Sequence, residues 1–370
     1  MPWWRGCGTP CDHDGFASDL RQVYSSVMGR LLLSKLGPAL AALLFAVAAW
    51  AAPMDVPNLR FFRIATGSAA STYFPVGAVI ASAISNPPGS RPCDTGGSCG
   101  VPGLIAVAQT SDGSVANVSA VAKGLVDSGL ATADILHWAY TGEGLYFRNH
   151  PLKNLRVIAN LYPETLHLVV RRGAGISSIR DLIGKRVSLD KPASGTRVNA
   201  EIVLAAYQVA PSQLKLFEVD PGRATDMIVA DDLDAFFLVA GYPAPAVTDL
   251  ALQNRIDLLP ISGGEADIIL KRHKFFAKDK IPAGIYEGIG AVEGLSVGAQ
   301  WVVAASADDN LIYEITKALW NPHNRDMLNA GHPQARQIRL ELALAGVSTP
   351  LHPGAERYYR EIGLYRAIGQ

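Results

Sequence analysis

Two short segments concentrate the residue types that hold small anions: Gly67-Ser-Ala-Ala-Ser-Thr-Tyr73 and Pro192-Ala-Ser-Gly-Thr-Arg197. Each follows an apolar stretch that reads as a strand, residues 61–66 and 186–189, and each opens a helix-like segment. Hydroxyl groups (Ser68, Ser71 and Thr72 in one, Ser194 and Thr196 in the other) then stand beside free backbone amides at Gly67 and Gly195. At a helix N-terminus the dipole and the unpaired N–H groups both face a bound anion. Tyr73 adds a ring that can wall a pocket and a hydroxyl that can bond a ligand. Arg197, in the first turn of the second helix, either forks onto a carboxylate or lies solvated at the surface. Both loops offer donors and few acceptors, so a small carboxylate fits them better than a cation or a neutral sugar.

Mouths of this kind need strands to aim them, and the chain supplies an alternating pattern. Residues 61–66, 103–109, 155–158, 166–171, 186–189, 233–239 and 297–304 read as strands. Residues 75–85, 114–123, 179–182, 196–207, 223–229 and 311–320 read as helices, with a further helical region at 333–344 and a tail at 351–370. Alternation of this sort is the mark of an α/β protein with mainly parallel sheets. Residues 154–172 read as two strands around Tyr162-Pro163-Glu164 with no helix between them, which suits a crossover, and the stretch 295–305 suits a return. Lobe I is therefore expected at 55–160 and lobe II at 161–294, with 295–370 returning to lobe I and carrying the C-terminal helices. The two anion mouths then fall in different lobes and clamp a ligand between them.

Further residues near these elements stay open between two roles. Ser114, in Asp112-Gly-Ser114, is either an ordinary helix start or a ligand contact. Gly241 permits an unusual backbone in Ala240-Gly-Tyr-Pro-Ala-Pro245, and Tyr242 either lines the cleft or packs within its loop. Glu164 and His167 flank the crossover, where either serves to tie the strands together.

The 370 residues are 49% hydrophobic and 18% charged, with zero formal net charge, which fits two globular domains and leaves no electrostatic footprint for nucleic acid. Arg30 and Lys35 precede an apolar run from residue 36 to 49 that ends in Ala49-Trp-Ala-Ala52, the grammar of a cleaved secretory signal peptide at 28–52. Residues 1–27, with Trp3, Trp4, Cys7 and Cys11, read as an extension ahead of a start at Met28. The mature chain is expected to be periplasmic, not membrane-embedded, and to keep two cysteines. Cys93 and Cys99, in a turn-rich loop of an exported chain, are expected to form a disulfide. Gly96-Gly-Ser-Cys-Gly100 matches G-x-S-x-G, but Pro, Gly and Asp precede it where a nucleophile elbow needs a strand. The eight histidines are scattered and no nucleotide-binding glycine motif is present. No metal, cofactor or catalytic residue is expected.

Six segments together resemble the TAXI family, the solute-binding proteins of tripartite ATP-independent periplasmic (TRAP) transporters. They are Ile64-Ala-Thr-Gly-Ser-Ala-Ala-Ser-Thr-Tyr-Phe-Pro-Val-Gly77, Asp112-Gly-Ser-Val-Ala-Asn117, Leu161-Tyr-Pro-Glu-Thr-Leu-His-Leu-Val-Val170, Pro192-Ala-Ser-Gly-Thr-Arg197, Ala235-Phe-Phe-Leu-Val-Ala-Gly-Tyr-Pro-Ala-Pro245 and Leu351-His-Pro-Gly-Ala-Glu-Arg-Tyr-Tyr359. The resemblance implies a two-lobed, type II periplasmic-binding-protein-like fold with a hinge and a closing cleft. It implies no enzyme activity, a glutamate or dicarboxylate-like ligand, and delivery to a TRAP permease. It implies a pocket built from residues 67–73, Ser114, residues 194–197 and the turn at 240–242. The first loop departs from the glycine-rich family form, with Ser68, Ala69, Ala70 and Ser71 in its middle, and Ala133 stands where a serine is usual. A periplasmic ligand sensor and an exported hydrolase using Ser98 are the alternative readings.

Overall fold

The structure, a computed structural model, describes residues 59–146 and 150–365. The expected signal peptide at 28–52 and the extension at 1–27 lie outside the described residues. Among the described residues no helix is long and apolar enough to cross a membrane.

The first half of the chain runs β1 (Arg60–Ala65), α1 (Tyr73–Ile84), the short strands β2 (Ser85–Asn86) and β3 (Val101–Pro102), β4 (Leu104–Gln109), α2 (Ser114–Ala122), β5 (Ser128–Thr132) and α3 (Ala133–Thr141). A long strand, β6 (Leu155–Arg171), leads to β7 (Arg186–Ser188), α4 (Gly195–Ala206), β8 (Lys215–Phe217), α5 (Pro221–Val229) and β9 (Ala235–Ala240). Then come α6 (Pro245–Leu252), β10 (Ile256–Leu259), α7 (Gly263–Arg272) and β11 (Phe276–Ile281). The second long strand, β12 (Val292–Ala304), precedes α8 (Asp309–Leu319), α9 (Arg325–Gly331) and α10 (Pro353–Glu361).

Ten of the strands form one mixed sheet in the order β4-β1-β5-β12-β6-β9-β7-β8, with β10 beside β6 and β11 beside β12. The outer pairs β1–β4, β1–β5, β7–β8 and β7–β9 are parallel; β6 and β12 run antiparallel to their neighbours. Both long strands change partners midway. In β6, residues 155–165 pair with β12, and residues 165–170 pair with β9. In β12, residues 292–297 pair with β11 and residues 299–303 with β5. The sheet thus has two wings joined by two continuous strands, and helices cover both faces of each. That cover explains why β6 reads as an almost unbroken buried run rather than an alternating one.

Each wing has its own apolar packing. One cluster sets Phe62, Ile64 and Leu104 against Trp301, Ile315 and Tyr359; another sets Leu168, Val187 and Phe237 against Val203 and Leu204. Trp301 is fully buried, meets Phe62 edge-on at 6.4 Å, and donates its indole N–H to Ser128 Oγ at 3.0 Å. A pair of this kind adds about 1 kcal/mol beyond the area it buries.

Three expectations change. The two strands expected around Tyr162-Pro163-Glu164 are a single strand of 17 residues. Pro163 lies within it, opposite Gly298, just before β6 changes partner from β12 to β9. The helical region expected at 333–344 is two short 3-10 turns, Pro333–Gln337 and Leu340–Leu342. The expected tail instead forms α10, started by His352, whose Nδ1 accepts from Gly354 N–H, and by Pro353 at the first helical position.

Candidate functional site

Strands β1, β4, β5, β7 and β8 all deliver the chain, at their carboxyl ends, toward one cavity of about 370 Å³ between the wings. The crevice beyond strand carboxyl ends is where open α/β sheets place ligands. Surface hollows elsewhere are larger, one of them about 570 Å³ around Ser262, Asp267 and Lys280. The cavity at the strand ends is distinguished by the polar groups that converge on it.

Of the expected site residues, Gly67, Ser68, Ser71, Tyr73, Ser114, Ser194, Gly195 and Thr196 line this cavity. Both expected mouths therefore open onto one space. Three hydroxyls form a consistent wall. Ser114 Oγ accepts from Thr132 N–H at 3.1 Å, Ser194 Oγ from Arg197 N–H at 3.0 Å, and Thr196 Oγ1 from Val239 N–H at 3.0 Å. Each oxygen is oriented by the amide it accepts from; Ser194 also hydrogen-bonds Asp190 and Ser114 hydrogen-bonds Tyr73, while Thr196 has its proton to offer. Gly195 is needed for this packing, because a Cβ there would lie 2.7 Å from Ser114 Oγ. Ser68 and Ser71 are partly spent on their own loop: Ser71 Oγ donates to the Ser68 carbonyl at 2.9 Å.

Four expected residues take other places. Thr72 is fully buried, and its Oγ1 accepts from Gly241 N–H at 2.9 Å, a bond that ties the wings together. Gly241 is set by packing, since a Cβ would meet the Gln334 side chain at 2.4 Å. Tyr242 packs against the apolar cluster of the second wing rather than lining the cavity. Arg197 turns away: its Nε pairs with Glu201 at 2.6 Å and its Nη1 with Glu218 at 3.0 Å. Two glutamates, Glu201 on the same helix and Glu218 after β8, hold the guanidinium away from the cavity lining.

The expectation of few acceptors is also corrected. Asp112, Glu164, Asp190 and Asp220 all line the cavity, against one basic side chain, Lys191. Lys191 is engaged by Asp112 at 2.8 Å and Asp220 at 3.9 Å, and the Asp112 contact crosses between the wings. Glu164 is 1% exposed, and burial pushes its carboxyl well above the usual range; Tyr73 opposes the shift and nearby Asp134 adds to it. Burial likewise raises Asp134, which has no solvent exposure. Asp190, with φ 74°, is pushed up to about 7, chiefly by burial, against the pull of the Lys191 amide. Asp190, Asp220 and Thr132 are cavity groups outside the expected set, and Glu164, expected as a strand tie, joins them. The usable signals were position at strand ends and a carboxyl inside the apolar run 161–170.

Cys93 and Cys99 are joined by a disulfide, Cα–Cα 4.7 Å. Ser98, inside that loop, donates to the Ser85 carbonyl and accepts from Gly100 N–H at 3.2 Å, far from the strand-to-helix turn a nucleophile elbow requires.

Among solved structures, MatC from Rhodopseudomonas palustris, solved with bound malate, superposes with a TM-score of 0.50 at 11% identity. That match covers 82% of this chain and 97% of MatC. The periplasmic binding protein BugD gives a TM-score of 0.49 at 11% identity, over 83% of this chain and 99% of that one. Residues 64–363 match the NMT1-like family. With this sheet, this cavity and that match, the chain belongs to the NMT1-like family and has the mixed α/β fold of periplasmic binding proteins.

Proposed function

We propose that this protein is an extracytoplasmic solute-binding protein of the TAXI type. It captures a small carboxylate, glutamate or dicarboxylate-like, and hands it to a TRAP permease without chemical conversion. The observation that carries the reading is the wall of Ser114, Ser194 and Thr196, three hydroxyls oriented by backbone amides, beside the start of α4. A wall of donors at helix N-termini favours an anion. Malate in MatC, a protein of like fold, is a ligand of this class. Cavity size supports a small ligand as well: about 370 Å³ lies at the low end of the usual range for small-molecule sites.

Capture works by closing two lobes, residues 55–160 with 295–370 against 161–294, about the points where β6 and β12 change partners. Two continuous strands leave few soft dihedrals, which favours rigid-body closure. Micromolar affinity requires about 8 kcal/mol, and charge-assisted hydrogen bonds at about 1.5–3 kcal/mol each supply a large share. Native mass spectrometry of gently purified protein, followed by calorimetry with glutamate, succinate, malate and a panel of sugars, tests the reading. Micromolar binding of at least one acid is expected. Sugar binding with no acid binding would refute it.

A further inference from the structure

The floor of the cavity is unfinished. Glu164 Oε2, Thr132 Oγ1 and the Tyr73 hydroxyl are buried and have no hydrogen bond of good geometry; their nearest polar neighbours are one another and Asp134, Tyr73 beside Glu164 and Thr132 beside Asp134. All three residues line the cavity, and Glu164, Thr132 and Tyr73 are 1%, 2% and 6% exposed. Beside them, both carboxyl oxygens of Asp134 also lack a hydrogen bond of good geometry, with Thr132, Asn199 and the Ile135 amide as their neighbours. A buried polar atom left unpaired costs about 1–3 kcal/mol, so a fold that keeps several together has left them for something else to complete.

Two acids with no countercharge make the missing group identifiable. No lysine, arginine or histidine pairs with Glu164 or Asp134 among the described residues. A ligand carboxylate placed there would add a third acid to the pair. A ligand ammonium supplies the absent positive charge and three N–H donors, against acceptors on Glu164 and Thr132 and the oxygen of Tyr73. The donor wall of Ser114, Ser194 and Thr196 remains for a carboxylate at the ligand's other end.

We infer that Glu164 is the residue that selects a ligand bearing an ammonium group, so that the cavity takes a small amino-carboxylate zwitterion in preference to the same acid without its amine. The inference rests on the solute-binding reading above and sharpens it. It has a proton signature. Burial favours the protonated form of Glu164 in the empty protein, with Tyr73 from α1 opposing, Asp134 from α3 reinforcing and Tyr162 beside it on β6. Asp190, Asp220 and Asp112 with Lys191 complete the charged groups around the cavity. An arriving ammonium favours the ionised carboxyl, so binding expels a proton, and affinity for an amino acid rises with pH until Glu164 is already ionised.

The test is calorimetry near neutral pH on matched pairs that differ only in the amine: glutamate with glutarate, aspartate with succinate, alanine with propionate. Each titration is repeated in two buffers of different ionisation enthalpy to count protons. The amino member of a binding pair is expected to bind at least tenfold tighter and to release a proton. Glu164→Gln should weaken the amino member at least tenfold, abolish the release, and narrow the gap between the two members of the pair. The wild-type pair comparison stands even where the variant folds poorly. A desamino acid that binds as tightly or tighter, with proton uptake, overturns the role of Glu164 and leaves the carboxylate reading intact. Failure of every acid in all three pairs overturns both.

Discussion

Asp234 and Glu164 are two poorly exposed acids of the same sheet under opposite regimes. Asp234, just ahead of β9, accepts from Arg186 N–H at 2.9 Å, Arg186 Nη2 at 2.8 Å and Arg171 Nη2 at 2.9 Å. Burial alone would raise it, but the arginines win and hold it well below the usual carboxylate range. Glu164 has burial without any such partner, and its carboxyl moves the other way. An acid completed by its own protein is a structural rivet. An acid left incomplete beside a cavity is a site waiting for its counterpart. Exposure alone would not separate them.

The comparison breaks most visibly on stability. Asp234→Ala takes the carboxylate from Arg186 and leaves Arg171 only the exposed Asp231, and should cost about 2 kcal/mol in urea unfolding, whereas Glu164→Gln should leave the ligand-free protein at least as stable. A loss below about 1 kcal/mol for Asp234→Ala would erase the contrast. A finer probe is pH. Asp190 rises from an ordinary value of 3.8 to about 7 on folding. Across that window the native state holds a proton that the unfolded chain has released. Its contribution is full below about pH 4 and is lost as pH climbs toward 7, at up to about 1.4 kcal/mol per pH unit. Asp234 acts in reverse: its contribution is present above pH 4 and fades in acid. Asp190→Asn should flatten the fall between pH 4 and 7 in a melting series, and an unchanged slope would remove Asp190 from the account. The smallest effect belongs to Arg197, whose glutamate partners are about half exposed. Arg197→Ala should cost less than about 1 kcal/mol and shift ligand affinity less than twofold by calorimetry; a tenfold loss would return it to the cavity.

Much of this is legible in the sequence. The loops at 67–73 and 194–197 announced themselves because glycine and hydroxyl residues after an apolar run have few other uses. Arg197 misled, since the sequence places Glu201 one turn away but hides Glu218, which folding brings alongside from 21 residues on. β5 escaped notice because Ser128-Gly-Leu-Ala-Thr132 has little strand propensity and is held by burial between β1 and β12. Glu164 looked like a strand tie because its meaning lies in what fails to surround it, and partners that are missing leave no trace in a linear pattern.

The pairing of β6 with β12 carries a last consequence, for insertions and deletions. Between Val157 and Tyr162 the register slips twice, leaving Ile158 and Leu161 as single extra residues on β6. Successive side chains on a strand alternate faces, so one slip inverts everything beyond it and two restore it. Glu164 reaches the cavity only because the slips come as a pair. Losing Ile158 or Leu161 alone would turn the acid to the opposite face and offer the ligand Pro163 or Thr165. Losing both would return Glu164 to its face but remove two fully buried core side chains, so the slips fix the aim of the acid and the core fixes the slips.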